Sequence, residues 1–170
     1  MKKYRLPIFV LVLVMVLEAG CIMNPAGTRK IYLMPKPYSE MPADSKNAVV
    51  TFYRKNVFAG AGTSFYVRDK NGRTIGGMIT NAYFSLKLPP GIHTFTVVTA
   101  QGTADYSIRL EPNKSYFIKG DTVSMAHGPL GLLTIVSAEE GRADLSKLKN
   151  MTVLENVEGY GPDENTHWLN

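Results

Sequence analysis

Histidine is the side chain that most often acts as a general base or metal ligand near neutral pH. The chain has three histidines, His93, His127 and His167. His93 follows a Pro-Pro-Gly turn and lies on the strand face of Phe95 and Val97, so we expect it to pack at the start of a strand. No two histidines have the spacing of metal ligands, and none has a nearby cysteine or His-x-Glu partner. The sequence therefore predicts no metal site and no cofactor.

Nucleophilic catalysis would need a nucleophile with a base in reach and groups that polarise the substrate. The motif Gly-x-Ser-x-Gly does not occur, and Ser64 and Ser124 lie in ordinary strand or loop sequence. Paired carboxylates for glycoside hydrolysis would come from Asp69, Asp105, Glu111, Asp121 or the pair Glu139 and Glu140. Helix capping and the helix dipole explain that last pair better. We therefore expect no catalytic residues and no enzymatic activity.

Cys21 is the only cysteine, and it follows a segment with the parts of a secretory signal peptide. Residues 1–5 are mostly basic, residues 6–17 are almost wholly apolar, and Ala19 and Gly20 are small. A membrane-spanning helix needs about 20 apolar residues, whereas this run has 12. The pattern thus favours a cleaved signal peptide at residues 1–20 over a spanning anchor.

The sequence Ala19-Gly20-Cys21 resembles the lipobox of bacterial lipoproteins. The resemblance implies that the Cys21 thiol carries a diacylglyceryl group and that its new N-terminus carries an acyl chain such as palmitate. Lipidation also removes an unpaired thiol from an oxidising compartment. Ile22, rather than Asp, follows the cysteine, which in the enterobacterial sorting pattern implies the periplasmic face of the outer membrane.

The chain from Cys21 onward has 150 residues, the size of one ordinary domain. Lys2, Lys3, Arg5 and Glu18 account for +2 of the formal charge of +5, so the remainder carries +3. Nucleic-acid binding is not expected, because the Lys and Arg residues are not clustered. Since no cysteine pair remains, a hydrophobic core must stabilise the fold, and a chain of this size can bury one.

Proline content predicts that residues 21–47 form the lipidated N-terminus and a tether. Pro25, Pro35, Pro37 and Pro42 each fix φ and remove a backbone donor. Within this stretch, the apolar segment 31–34 is a candidate edge segment that docks on the domain. A spacer between lipid and domain is the simplest interpretation of the rest.

Residues 48–149 alternate apolar and polar side chains in short runs separated by turn sequences. Asn71-Gly72 is the strongest of these signals, because both residues tolerate positive φ in a hairpin turn. The pattern predicts an antiparallel β-sandwich or barrel of about seven or eight strands, of which we favour an immunoglobulin-like β-sandwich. Ser137 and Glu140 have capping-box spacing and predict one short C-terminal helix. Residues 150–170 are expected to be a tail, in which 151–154 are a candidate short strand.

Tyrosines at alternate strand positions, together with Arg54, suggest a candidate binding surface. Tyr53, Tyr66 and Tyr83 are the members that we single out, as rings able to stack on sugars or receive a peptide. Half-buried sheet residues with hydrated hydroxyl groups are the alternative interpretation. Arg54 ends an apolar strand and is expected either to pair with a carboxylate at the rim or to meet an acidic ligand.

Several segments resemble the DUF2846 family of bacterial lipoproteins, a domain of unknown function. They are Val50 to Arg54, Phe65 to Val67, Asn71-Gly72, Ile75-Gly76, Tyr83-Phe84 and Leu88 to Thr94, within a match of about 48–148. The resemblance implies a β-rich envelope domain and no particular chemistry. The segment Pro89 to Thr94 is also similar to a turn of PEGA-type surface domains, which are β-sandwiches.

The sequence as a whole predicts a lipid-anchored periplasmic module that binds or scaffolds without catalysis. Its expected partners are the membrane, through the lipid, and an envelope protein or peptidoglycan. The alternative is a small envelope hydrolase or ligand sensor that uses His93 or His127.

Overall fold

A computed structural model describes residues 30–56, 62–126 and 128–154. Within these ranges the chain forms ten strands and one helix. They are β1 (Ile31–Pro35), β2 (Ala48–Arg54), β3 (Phe65–Arg68), β4 (Thr74–Met78), β5 (Ala82–Leu88), β6 (Gly91–Thr99), β7 (Gly102–Leu110), β8 (Ser115–Met125), β9 (Gly128–Val136), α1 (Ala138–Leu145) and β10 (Asn150–Leu154).

The strands form two sheets. The larger has the order β1-β10-β5-β2-β8-β9, and the smaller has the order β4-β3-β6-β7. Neighbouring strands are antiparallel except for the pairs β2–β8 and β5–β10, which are parallel. The prediction of a mostly β protein with one short helix is confirmed. Eight of the described strands, β2 to β9, lie within residues 48–149, where the alternation predicted about seven or eight. The two further strands, β1 and β10, are the segments that the sequence marked as candidates.

The inner faces of the two sheets share one apolar core, as in a β-sandwich. Phe52 of β2 is opposite Phe84 of β5, and their rings stack with centroids 4.8 Å apart. Phe95 of the smaller sheet meets Phe52 edge-on at 5.0 Å. Because side chains alternate between the faces of a strand, Val50 and Leu86 join this core on the same face.

The outer face of the larger sheet is buried as well. All seven residues of β2 are buried, because α1 and the residues after it cover the side that an ordinary sandwich would expose. This second cluster consists of Tyr53, Tyr83, Phe117, Leu145, Leu148 and Met151. The molecule therefore has a third layer, which the strand alternation alone does not predict.

The helix begins where the capping box predicted it. The Ser137 side chain accepts a hydrogen bond from the Glu140 backbone N–H at 3.1 Å, which satisfies one donor of the first turn. Glu139 and Glu140 place negative charge at the positive end of the helix dipole. Gly141 faces the sheet and allows α1 to approach the Phe117 side chain closely.

Residues 31–47 belong to the fold, which corrects the predicted tether of 21–47. β1 pairs with β10 over five residues, and residues 36–47, which we call the strap, cross the outer layer. In the strap, Tyr38 meets Tyr83 edge-on with ring centroids 5.2 Å apart, and Glu40 accepts two hydrogen bonds from Arg142 at 2.8 and 2.9 Å. Of the described prolines in this stretch, Pro35 ends β1 and Pro37 and Pro42 lie in the strap, where no ladder donor is needed.

The described part of the folded unit therefore extends from Ile31 to Leu154, beyond the predicted bounds of 48–149. The predictions for the signal peptide, Cys21, His127 and residues 155–170 lie outside the described residues. In the part of the chain that the structure describes, no helix is long and apolar enough to cross a membrane.

Candidate functional site

A cleft of about 280 Å³ opens at one end of the sandwich, between the β3–β4 hairpin and the β5–β6 turn. Both connections reach this end because β3 and β5 run toward it and β4 and β6 run away from it. The cleft is lined by Asp69, Lys70, Asn71, Arg73, Ile75, Leu86, Leu88, Pro89, Ile92, His93, Thr94 and Phe95.

Asp69 organises the hairpin on one side of the cleft. One of its carboxylate oxygens accepts hydrogen bonds from the backbone N–H groups of Asn71 and Arg73, both at 2.9 Å. The other oxygen pairs with the Arg73 guanidinium at 2.8 Å. Gly72 adopts φ of +76°, whereas Asn71 does not have a positive φ, so the hairpin that the Asn-Gly signal predicted forms with only one of its two residues in that region. Because both carboxylate oxygens are bound to groups of the hairpin, the role of Asp69 is to stabilise the turn.

The β5–β6 turn forms the opposite side of the mouth. Gly91 has φ of +138°, a conformation that side-chain-bearing residues rarely adopt. The His93 ring donates from Nε2 to the Pro89 carbonyl at 2.9 Å and stacks over Phe95 with centroids 6.3 Å apart. His93 therefore packs at the start of β6 on the Phe95 face, as predicted. Ile92, beside it, is 65% exposed at the lip.

The cleft combines apolar walls with a positive mouth. Ile75, Leu86, Leu88 and Phe95 contribute hydrocarbon surface from both sheets. Lys70 is exposed at the mouth, and it forms no ion pair with any described residue. Since the charge of Arg73 is balanced by Asp69, the mouth carries a net positive charge from Lys70.

Few of the described groups that line the cleft are free for acid–base or nucleophilic chemistry. Neither serine nor cysteine is among the described residues that line the cleft. His93 is hydrogen-bonded to a backbone carbonyl, and Asp69 is held by Arg73. Across the described residues, no group of three or more His, Cys, Asp and Glu side chains is placed to hold a metal ion.

The predicted binding surface is not formed as an exposed face, which corrects that interpretation. Tyr53 is fully buried and Tyr83 is 4% exposed, because α1 and the strap cover their side of the sheet. The Tyr53 hydroxyl donates to Asp144 at 3.1 Å, and the Tyr83 hydroxyl donates to the Pro37 carbonyl at 3.1 Å. Tyr66 is half-buried on β3, in the other sheet.

Arg54 is buried at the end of β2 that lies away from the cleft. Ala48, at the other end of β2, is opposite Leu88 of the cleft wall. The Arg54 guanidinium donates to the Thr63 carbonyl and to the Thr122 hydroxyl, and it lies 5.7 Å from the centre of the Phe65 ring. Burial lowers the pKa of Arg54, and the charge of Asp121 opposes this shift. The contacts of Arg54 connect β8 with the segment that precedes β3.

The predicted site residues did not include four residues that line the cleft, which are Lys70, Ile75, Leu86 and Leu88. The two turn sequences that flank the cleft were available as signals, since Asn71-Gly72 and Pro89 to Gly91 both predicted tight connections. Only the topology brings these connections to the same end of the molecule.

Comparison of the chain with protein-family models, with curated proteins and with solved structures gives no match. The resemblances to the DUF2846 family and to PEGA-type domains therefore stay predictions from the sequence.

Proposed function

We propose that this protein is an outer-membrane lipoprotein whose domain faces the periplasm and binds a ligand in the cleft without catalysing its conversion. The cleft is the observation that carries the proposal. It has apolar walls from two sheets and a few polar groups at its mouth, which is the usual character of a small-molecule site. Among the described residues around it, His93 and Asp69 are already hydrogen-bonded within the protein, and Lys70 is exposed for recognition.

The N-terminal sequence supplies the anchor in this proposal. Lipidation of Cys21 would provide more than one acyl chain, as stable anchoring requires. The described fold begins at Ile31, so the nine residues 22–30 connect it to the lipid. A chain of this length spans at most about 30 Å. The domain would therefore work close to the membrane surface.

Site-specific photo-crosslinking in intact cells tests the binding function. A photoreactive amino acid replaces Ile92 at the lip of the cleft, and the control variant carries it at the exposed Glu139 on α1. We expect adducts from Ile92 that are absent from Glu139, identified by mass spectrometry of the purified protein. The same adducts at both positions, or none at Ile92, would contradict the proposal.

The anchor has its own test. A Cys21→Ser protein is expected to incorporate no labelled fatty acid and to accumulate as the precursor. Persistent labelling would show that the proposed lipidation site is wrong.

A hydrolase or sensor using His93 or His127 is the second candidate, because His93 borders the cleft. Replacing both histidines with Ala separates the two functions. An unchanged cellular phenotype would exclude the enzyme form, whereas loss of a cellular function with cleft adducts retained would favour it over passive binding.

A further inference from the structure

We propose that the cleft takes one acyl chain of a single-chain anionic amphiphile, whose head group lies at Lys70. The inference rests on the proposed binding function and names its ligand class. The chemistry is that of a fatty acid or of a lysophospholipid with a net negative head group.

The walls select for hydrocarbon. Leu86, Leu88 and Phe95 belong to the shared core, and Ile75 packs against it. A sugar or peptide placed against these side chains would lose hydrogen bonds to water without replacing them. An acyl chain has no such groups, and each methylene that leaves water stabilises the complex. The exposed Ile92 extends the apolar surface outward from the mouth.

The volume selects for one chain. About 280 Å³ is close to the lower end of the range for small-molecule sites, which begins at roughly 300 Å³. A single acyl segment can occupy this space, whereas the two chains of a diacyl lipid would need more.

The mouth selects for negative charge. Lys70 brings a positive charge without an ion-pair partner among the described residues, while Arg73 is held by Asp69 at 2.8 Å. A carboxylate or phosphate beside Lys70 would gain an ion pair, whereas a neutral head group would not.

The chain enters the fold on the same side as the cleft. Ile31, the first residue of β1, is opposite Leu154 of β10. Leu154 shares a shallow depression with Ile75 and Leu86, and these two residues also line the cleft. The short connection to Cys21 therefore keeps the cleft within reach of membrane-derived amphiphiles.

Photolabelling of the full lipidated chain in nanodiscs of zwitterionic lipid tests the inference. The probes are dodecanoate with a diazirine on its chain and the methyl ester of the same acid, which has no charge. We expect dodecanoate to label peptides from residues 69–75 and 86–95 more strongly than the ester does. Unlabelled dodecanoate and monododecyl phosphate serve as competitors. Stronger competition by dodecanoate indicates a fatty acid as the ligand, and stronger competition by monododecyl phosphate indicates a phospholipid source.

Two lysine variants measure how much the positive charge of Lys70 contributes to binding of the probe. Lys70→Gln should reduce dodecanoate labelling about two- to five-fold, the range for an exposed ion pair, and should leave ester labelling unchanged. Lys147→Gln, at an exposed position after α1, is the matched control and should change neither. Because both substitutions are on the surface, loss of folding does not obscure the result. His93→Trp, which narrows the mouth, should reduce labelling by both probes.

The outcomes separate the inference from the proposed function. Equal cleft labelling by acid and ester, insensitive to Lys70→Gln, would overturn the anionic head group while leaving a binding cleft. Absence of cleft labelling by both probes, with crosslinks from Ile92 still found in cells, would overturn the amphiphile but not the binding function. Absence of both would overturn the two together.

Discussion

The side chain of Ile31 fills the space that a Cβ atom at Gly77 would need. This contact joins the first described strand to β4, which lies at the edge of the smaller sheet. Gly76, the preceding residue, gives the same close approach to the Phe84 ring. Side chains of two strands of the larger sheet, Phe84 and Ile31, thus pack directly against the backbone of β4, and β1 is part of the fold.

Gly77→Ala should destabilise the protein by about 1–3 kcal/mol, the usual cost of overpacking a core. The added methyl group would overlap Cδ1 of Ile31 and push β1 outward. Urea unfolding measures the loss. Ile31→Ala is the companion variant, because the double variant Ile31→Ala/Gly77→Ala should lose less than the sum of the single changes. Strictly additive losses would show that the two residues do not compete for this space.

Gly141→Ala should also destabilise the protein, although helix propensity alone favours Ala over Gly by about 1 kcal/mol. An added Cβ would lie 2.5 Å from both Cβ and Cγ of Phe117, which are not the flexible end of that side chain. We expect a net loss of about 1–2 kcal/mol in urea unfolding, within the range for overpacking. Ala143→Gly, at an exposed position of the same helix, is the control and should lose about 1 kcal/mol from propensity alone. A stabilised Gly141→Ala protein would contradict the close approach of α1.

Raising the pH above about 10, the ordinary pKa of tyrosine, should unfold the protein cooperatively. Burial raises the pKa of Tyr53, and its hydrogen bond to the Asp144 carboxylate raises it further. Burial also raises the pKa values of Tyr38 and Tyr83. A raised pKa in the folded state gives stability that is complete below the unfolded pKa and is lost as the pH rises above it. Tyrosinate absorbance and circular dichroism should therefore change together.

Tyr53→Phe checks the origin of this alkaline transition. The variant cannot ionise at position 53, while Asp144 keeps its ion pair with Lys55 at 3.3 Å. Its stability should fall less steeply with pH than that of the unchanged protein. An identical pH dependence in the two proteins would exclude Tyr53 as a contributor.

Arg54→Met should lower stability by about 1.5–3 kcal/mol, the range for hydrogen bonds made by charged groups. The methionine fills part of the space but offers no donor to the Thr63 carbonyl or the Thr122 hydroxyl. Photolabelling of the cleft should be unchanged, because Arg54 and the cleft lie at opposite ends of β2. Lys at this position keeps the charge but not the planar fork of donors, so Arg54→Lys should be intermediate. A loss of cleft labelling without a loss of stability would instead indicate that Arg54 takes part in binding, as the sequence suggested.

Local signals in the sequence determined most of the strands and turns. The alternation of β2 and β5, the Asn71-Gly72 turn and the Ser137–Glu140 cap were all readable, because each depends on residues within a few positions of one another. The position of His93 on the Phe95 face followed from the same two-residue period. The lipobox-like Cys21 is equally local, and its attachment to lipid stays a prediction.

Tertiary structure alone decided which of these surfaces meet solvent. Strand alternation predicts two faces for β2 but does not show that α1 and the strap cover the outer one, so Tyr53 and Tyr83 were assigned to a surface that they do not form. Local propensity alone predicts that Gly141 and the Gly-Gly pair of β4 weaken their elements. Their role in close packing depends on long-range neighbours, which are Phe117, Phe84 and Ile31. The cleft likewise arises where two distant turns converge, and such contacts depend on the path of the whole chain rather than on any local spacing.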